Sequence, residues 1–176
     1  VVVTGTASFA DKNVGTAKGV TVDTVGLNNG SNGGLASNYS LTAGQTTTAD
    51  ITPKALTISG ITAANKVYDG TATATVSTAG VTNAVLQAGG LVAGDVITVA
   101  SAGNFRNAGN TANDKNVGIG KTVALTNTYA GADSGNYTIT DQQTTTADIT
   151  PKVLTISGIT AANKVYDGTA TATVST

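Results

Sequence analysis

The sequence contains no cysteine, histidine, glutamate, methionine or tryptophan. Without cysteine, the chain can form neither disulfide bonds nor thiolate metal sites. Without histidine and glutamate, the common nucleophile–base triads and most zinc sites cannot be assembled. We therefore expect that the protein is not an enzyme and that it uses no cofactor.

Charged residues and long apolar runs are also scarce. Charged residues make up 11% of the chain, against about 25% in ordinary soluble domains. The nine basic residues are scattered and the net charge is −1, so the chain has no electrostatic footprint for nucleic acid or anionic lipid. Apolar runs of membrane-spanning length are absent from the sequence. We expect neither a nucleic-acid partner nor a membrane span in this segment.

Threonine, alanine, glycine, valine and asparagine make up most of the chain. Threonine and valine favour strands, while glycine and asparagine favour turns. Between Ile51 and Asp148, six or seven short strand signals alternate with turns, and no amphipathic helical period appears. This pattern predicts an all-β fold with no more than a turn or two of helix. We expect antiparallel, immunoglobulin-like β-sandwich modules in an elongated tandem array, with β-grasp-like units as the alternative.

A long internal repeat dominates the organisation of the chain. The segment Thr46–Thr78 recurs as Thr144–Thr176 at a spacing of 98 residues, with Ala55 replaced by Val153. This period exceeds the roughly 20 to 50 residues of solenoid repeats and is long enough for a small domain. We therefore expect a segment of a longer array. Its predicted parts are the C-terminal part of one repeat (1–50), a complete repeat (51–148) and the N-terminal part of the next (149–176).

Each copy of the repeat carries an Asp-Gly pair that predicts a tight turn. Glycine adopts positive φ at little cost, and aspartate can bond to the backbone two residues further on. We interpret Asp69-Gly70 and Asp167-Gly168 as structural turns rather than metal ligands. The first is predicted to close a hairpin between Lys66–Tyr68 and a return strand, Thr71–Val76.

Tyrosines and prolines complete the set of structural motif residues. Aromatic residues make up 4% of the chain, so Tyr68, Tyr137 and Tyr166 are predicted to bury their rings and offer their hydroxyls to a partner. Pro53 and Pro151 lie where one repeat ends and the next begins. Because proline restricts its own φ and extends the preceding residue, each is predicted to stiffen its junction.

Two further kinds of chemistry stay open as alternatives. Calcium between repeats needs several converging oxygen atoms, and no Asp-x-Asp-x-Asp-Gly loop is present. A spontaneous cross-link from Lys54 or Lys66 to an asparagine or aspartate is the other alternative. The aspartates considered as calcium ligands are Asp69, Asp95, Asp133 and Asp141.

Five motifs in this order resemble the YDG-type repeat of very large secreted bacterial adhesins, including filamentous-haemagglutinin-like proteins. They are Ile51–Thr57, Lys66–Thr71, Asp114–Gly118, Gly135–Thr138 and Ala147–Pro151. The resemblance implies an extracellular, all-β, tandemly repeated module that forms the shaft of an adhesin or filament at the bacterial cell surface. It implies no catalytic residues.

Two other functions are alternatives to a shaft. One is an adhesive module whose polar loops bind a glycan or a host protein. The other is an ice-binding surface, suggested by the threonine rows Thr71, Thr73, Thr75 and Thr46–Thr48. Between the copies the strand sequences hold and two loops differ in length, which favours a uniform spacer.

The expected partners are neighbouring repeats of the same protein. A partial repeat leaves unpaired strand edges, and such edges are templates for another chain. We therefore expect that residues 149–176 of one molecule can complete residues 1–50 of the next, giving head-to-tail association.

Overall fold

The computed structural model describes residues 1–42 and 44–175. Strands account for 45% of the chain and helix for 7%, which confirms the predicted all-β class. Among the described residues, no helix has the length and apolarity that crossing a bilayer requires.

Residues 1–51 form a three-stranded antiparallel sheet, called here the N-terminal sheet. Its strands are β1 (Val2–Phe9), β2 (Gly15–Asn28) and β3 (Thr46–Ile51), in the order β1-β2-β3. Threonine and valine populate these strands, as their preference for a pleated surface predicts. A short 3-10 turn, Ala36–Asn38, lies in the long connection between β2 and β3.

The central repeat extends from β4 to β12. A five-stranded sheet with the order β6-β12-β10-β9-β7 curls into a half-barrel, and β4 pairs with β11 and β5 with β8 beside it. Its elements are β4 (Lys54–Thr57), β5 (Thr62–Ala63), β6 (Lys66–Val67), β7 (Thr73–Ala74), β8 (Val76–Ser77), α1 (Asn83–Ala88), β9 (Thr98–Phe105), β10 (Gly118–Ala130), a 3-10 turn (Ser134–Asn136), β11 (Tyr137–Thr140) and β12 (Thr144–Thr150).

The predicted immunoglobulin-like sandwich is not confirmed, and the expectation of antiparallel pairing is wrong at two places. β4 pairs in parallel with β11, and β6 pairs in parallel with β12. Parallel strands need a long connection between them. The chain supplies this connection because β4 and β6 come early in the repeat, whereas β11 and β12 come at its end.

Two adjoining apolar clusters form the core of the central repeat. Leu56, Phe105 and Val123 have no exposed side-chain surface. The helix α1 adds Leu86 to the core, and the Thr82 hydroxyl caps its first turn by accepting from the Val85 N–H at 3.4 Å. One cluster contains Leu56, Ile58, Ile61, Leu86, Leu91, Ile97 and Tyr137, and the other contains Ala74, Phe105, Val123, Ala147 and Ile149.

Residues 151–175, called here the C-terminal segment, repeat the sequence of β4 to β8 without a sheet beneath them. Only β13 (Thr160–Ala161) and β14 (Val174–Ser175) pair with each other. Leu154 is 85% exposed, whereas its counterpart Leu56 is fully buried. The same local sequence is therefore buried or exposed according to the tertiary contacts available to it.

This pair of leucines provides a matched test of the core. Leu56→Ala should lower the free energy of unfolding of the central repeat by about 2–5 kcal/mol, because it leaves a cavity in a closed core. Leu154→Ala should change it by no more than about 0.5 kcal/mol, because the side chain lies in solvent. Urea denaturation at a protein concentration where the chain is monomeric measures both. Equal losses for the two variants would contradict the described packing.

Candidate interface between consecutive repeats

The two Asp-Gly turns have the predicted geometry. Gly70 has φ +82° and Gly168 has φ +76°, in the left-handed region that favours glycine. The Asp69 carboxylate accepts a hydrogen bond from the Thr71 N–H at 2.9 Å, and Asp167 makes the same bond in the second copy. Both pairs therefore form tight turns, and their purely structural role stays a prediction.

The predicted hairpin at Asp69-Gly70 is wrong. Strands β6 and β7 flank this turn but lie at opposite ends of the five-stranded sheet, where they pair with β12 and β9. The Lys66 amine holds the turn by donating to Asp69 Oδ1 and the Thr71 carbonyl at 2.8 Å and to the Thr73 carbonyl at 3.0 Å. Lys66 lowers the pKa of Asp69. The turn therefore connects the two edge strands of the curled sheet. No local sequence signal distinguishes such a connection from a hairpin turn.

The three predicted tyrosines have different environments. Tyr137 is buried; its hydroxyl accepts from the Val92 N–H at 2.9 Å and donates to Asp95 Oδ2 at 2.7 Å, as predicted. Burial raises the pKa of Tyr137. Tyr68 is partly buried against the core. The prediction is wrong for Tyr166, which is 92% exposed because no sheet packs against the C-terminal segment.

The two prolines lie within two residues of the end of the last strand of a repeat. Pro53 and Thr52 are the only residues between β3 and β4, so the N-terminal sheet connects to the central repeat through two residues. Pro151 follows β12, which ends at Thr150. The stiffening effect of either proline stays a prediction.

The structure brings together two of the four aspartates considered as calcium ligands. Asp95 and Asp133 converge on one lysine amine, whereas Asp69 pairs with Lys66. Asp141 accepts from the Tyr129 hydroxyl. Across residues 1–42 and 44–175, no group of three or more potential metal-binding side chains converges. The cross-link considered at Lys54 or Lys66 stays untested.

The lysine shared by Asp95 and Asp133 belongs to the preceding repeat. Lys12 lies in the loop between β1 and β2, and its amine donates to Asp95 Oδ1 at 2.8 Å and to Asp133 Oδ1 at 2.9 Å. The two acidic side chains are 11% and 12% exposed. The Lys12 side chain is 67% exposed, so solvent screens the ion pair from the lysine side while the two carboxylates are largely shielded.

Backbone and amide contacts flank this ion pair. The Val14 N–H donates to Asn136 Oδ1 at 2.9 Å, and the Asn136 side chain donates to Asn13 Oδ1 at 3.2 Å. The loop between β1 and β2 is also held by hydrogen bonds within its own repeat. Asp11 accepts from the Asn13 N–H at 2.8 Å, and the Lys18 amine donates to the Asn13 carbonyl at 2.7 Å. We call this set of contacts the junction.

The central repeat holds its acidic side of the junction in place. Asp133 Oδ2 accepts from the Val96 N–H at 2.9 Å, and Asp95 accepts from the buried Tyr137 hydroxyl. Lys12 lowers the pKa of both aspartates, and they in turn raise the pKa of Lys12. The like charges of Asp95 and Asp133 are thus tolerated because a single cation lies between them.

Sequence reasoning missed the junction, although its signal was present. The motif Asp-Lys-Asn-Val-Gly occurs at Asp11–Gly15 and again at Asp114–Gly118. Lys115, the counterpart of Lys12, is exposed and forms no ion pair with any residue that the structure describes. The sequence signal for a contact with a neighbouring repeat is the lysine that lies between a turn-forming aspartate and an asparagine in this motif.

The half-barrel sheet and the contact between repeats define the chain as a tandem all-β repeat module. The profile of one protein family, described as the YDG domain, matches residues 1–49, 52–147 and 150–176. The chain therefore belongs to the YDG domain family. The comparison with curated proteins gave no match, and neither did the comparison with solved structures.

Replacing Lys12 by alanine should uncouple the N-terminal sheet from the central repeat, because the cation between Asp95 and Asp133 is removed. In wild-type protein, residual dipolar couplings from both parts should fit one alignment tensor. In Lys12→Ala they should need two. Lys115→Ala is the matched control and should behave like wild type. A single tensor for Lys12→Ala would show that the ion pair does not hold the junction.

The junction should also weaken in acid. The folded-state pKa values of Asp95 and Asp133 lie below the ordinary 3.8, so their contribution is complete above about pH 4 and is lost as the pH falls through those depressed values. The raised pKa of Lys12 keeps the amine charged throughout this range. Dipolar couplings recorded from pH 7 to pH 2 should show uncoupling below pH 4 in wild type and little further change in Lys12→Ala. An acid-insensitive junction in folded wild-type protein would refute the electrostatic account.

Proposed function

We propose that this chain is part of the shaft of a large secreted bacterial surface adhesin, in which each repeat acts as a structural spacer. The observation that carries the proposal is the junction. A connection of two residues and an ion pair shared by Lys12, Asp95 and Asp133 restrain consecutive repeats against each other. If every junction is restrained in this way, a tandem array stays extended and can hold the end of the adhesin away from the cell surface.

The central repeat carries both halves of the same interface. Asp95 and Asp133 receive the lysine of the preceding repeat, and Lys115 occupies the position that Lys12 has in the repeat before it. Two different surfaces on one unit give a head-to-tail contact that can be repeated without closing on itself. Stability in such an array is the sum of repeat terms and nearest-neighbour terms.

The bacterial and extracellular setting is proposed from the motif resemblance to repeats of secreted adhesins. The composition suits this setting. A chain without cysteine has no thiol chemistry that changes between reducing and oxidising compartments. Exposed hydroxyl and amide side chains, together with low charge, suit a spacer with little chemistry of its own.

The geometry bears unevenly on the two rival functions. The cleft beside the junction has a volume of about 260 Å³, below the roughly 300–1,000 Å³ of typical small-molecule sites, whereas the cleft beside Arg106 and Lys121, at about 360 Å³, lies within that range.

Of the two threonine rows considered for ice binding, Thr71, Thr73 and Thr75 do not share one strand, because Thr71 belongs to the turn held by Lys66 and only Thr73 lies in β7. Thr46–Thr48 lie together in β3. A spacer is the function that the described contacts favour.

Small-angle scattering of proteins with one, two and four copies of the 98-residue unit 53–150 tests the shaft. The maximum dimension should grow linearly with copy number, because each added repeat attaches through the same junction. Arrays in which every lysine equivalent to Lys115 is replaced by alanine are the control and should give broader, more flexible distributions. A maximum dimension that levels off, as for a compact globule, would overturn the proposal.

A further inference from the structure

The first and last parts of the central repeat run side by side and in the same direction. We call residues 54–67 the opening segment and residues 137–150 the closing segment. At one end β4 pairs in parallel with β11, and at the other end β6 pairs in parallel with β12. The residues paired at both ends, such as Val67 and Thr150, are 83 positions apart in the sequence. One register therefore holds from end to end of the two segments.

Side-chain hydrogen bonds bridge the stretch between these two ladders. Gln142 Oε1 accepts from the Ile61 N–H at 3.0 Å, and Gln142 Nε2 donates to the Ile61 carbonyl at 2.7 Å. Asn65 accepts from the Asp148 N–H at 2.8 Å and donates to the Asp148 carboxylate at 3.3 Å. The opening and closing segments are therefore connected at intervals along their length and not only at their ends.

Both segments also contribute to the apolar core. The opening segment buries Leu56 and Ile61, and the closing segment buries Ile149, each to at least 98%. Hydrogen bonds beside such a core are stronger than in water, because the local dielectric constant is low. Separating the two segments would break these bonds and expose the core at the same time.

The neighbouring repeats connect at opposite ends of this parallel pair. Pro53 links the preceding repeat to the start of the opening segment, and Pro151 follows the end of the closing segment. Tension along a tandem chain therefore pulls the start of one segment against the end of the other. Force then acts along the strands, so the hydrogen bonds between them carry it together. Force applied to two adjacent ends would instead open the same bonds one after another.

We infer that the opening and closing segments form a mechanical clamp, which resists unfolding when the repeat is pulled through residues 53 and 151. Resistance to pulling depends on the rate of unfolding under force. Bonds that must break together before the repeat unfolds slow that rate, since they are intact in the folded state and lost in the transition state. Gln142 is the side chain that connects the two segments at the middle of the clamp.

The use of the clamp rests on the proposed function, because a shaft held at both ends transmits tension through every repeat in turn. The direction in which the clamp is loaded follows from the topology of the central repeat alone. The two proposals therefore fail separately. Equal resistance in all pulling directions would overturn the clamp even if arrays extend linearly, and compact arrays would overturn the shaft even if the clamp resists force.

Single-molecule force spectroscopy of the full chain in two pulling directions tests the clamp without altering its bonds. Because the chain lacks cysteine, handles can be attached at the exposed positions Thr52→Cys and Lys152→Cys, which load the segments at opposite ends. Thr52→Cys with Gly135→Cys is the matched control, since it pulls on the starts of both segments. A Cβ at Gly135 meets no atom within 4 Å. The first pair should need the higher unfolding force at the same loading rate, and an equal or lower force would overturn the inference.

Neighbouring glutamines provide a second test in the Thr52–Lys152 direction. Gln142→Ala should unfold about tenfold faster at a given force, because it loses two hydrogen bonds that break on the way to the transition state. Gln143→Ala is the matched control and should unfold like wild type, since Gln143 is exposed and its side chain bonds to no residue that the structure describes. A Gln142→Ala chain that unfolds under force at the wild-type rate would overturn the clamp.

Discussion

The central repeat holds together because its first strands return to the edges of a sheet built from its last strands. The parallel pairs β4–β11 and β6–β12 make this return, and it buries Leu56 and Phe105 completely. The same return sets the position of β4, which only two residues separate from β3. The core and the short connection between repeats therefore depend on one pairing pattern.

The pairing of β4 with β11 also positions the acidic side of the junction. Tyr137 in β11 lies beside β4 and holds Asp95 through its hydroxyl, so the acidic side is fixed by the core of the central repeat. The preceding repeat contributes only a preshaped loop with Lys12 at its tip. Each side of the junction is therefore held by hydrogen bonds within its own repeat. The C-terminal segment shows the other condition, with the same strands formed locally but no sheet to cover them.

Local chemistry could be predicted from the sequence, and long-range pairing could not. The strand class and the positive φ of Gly70 follow from residue types, because they depend on neighbours along the chain. The two parallel pairs depend on contacts between residues about 80 positions apart in the sequence. The placement of β6 and β7 at opposite edges depends on their pairing with β12 and β9. Leu56 and Leu154 make the limit plain, since the same sequence context gives full burial in one copy and 85% exposure in the other.

Lys12, Asp95 and Asp133 join the N-terminal sheet to the central repeat. Because the chain lacks cysteine, spin labels can be attached cleanly at Thr24→Cys in β2 and Thr128→Cys in β10. Double electron–electron resonance then measures the distance distribution across the junction at pH 7. We expect a single narrow distance that broadens when Lys12→Ala is added. A broad distribution in the chain with Lys12 intact would contradict this expectation.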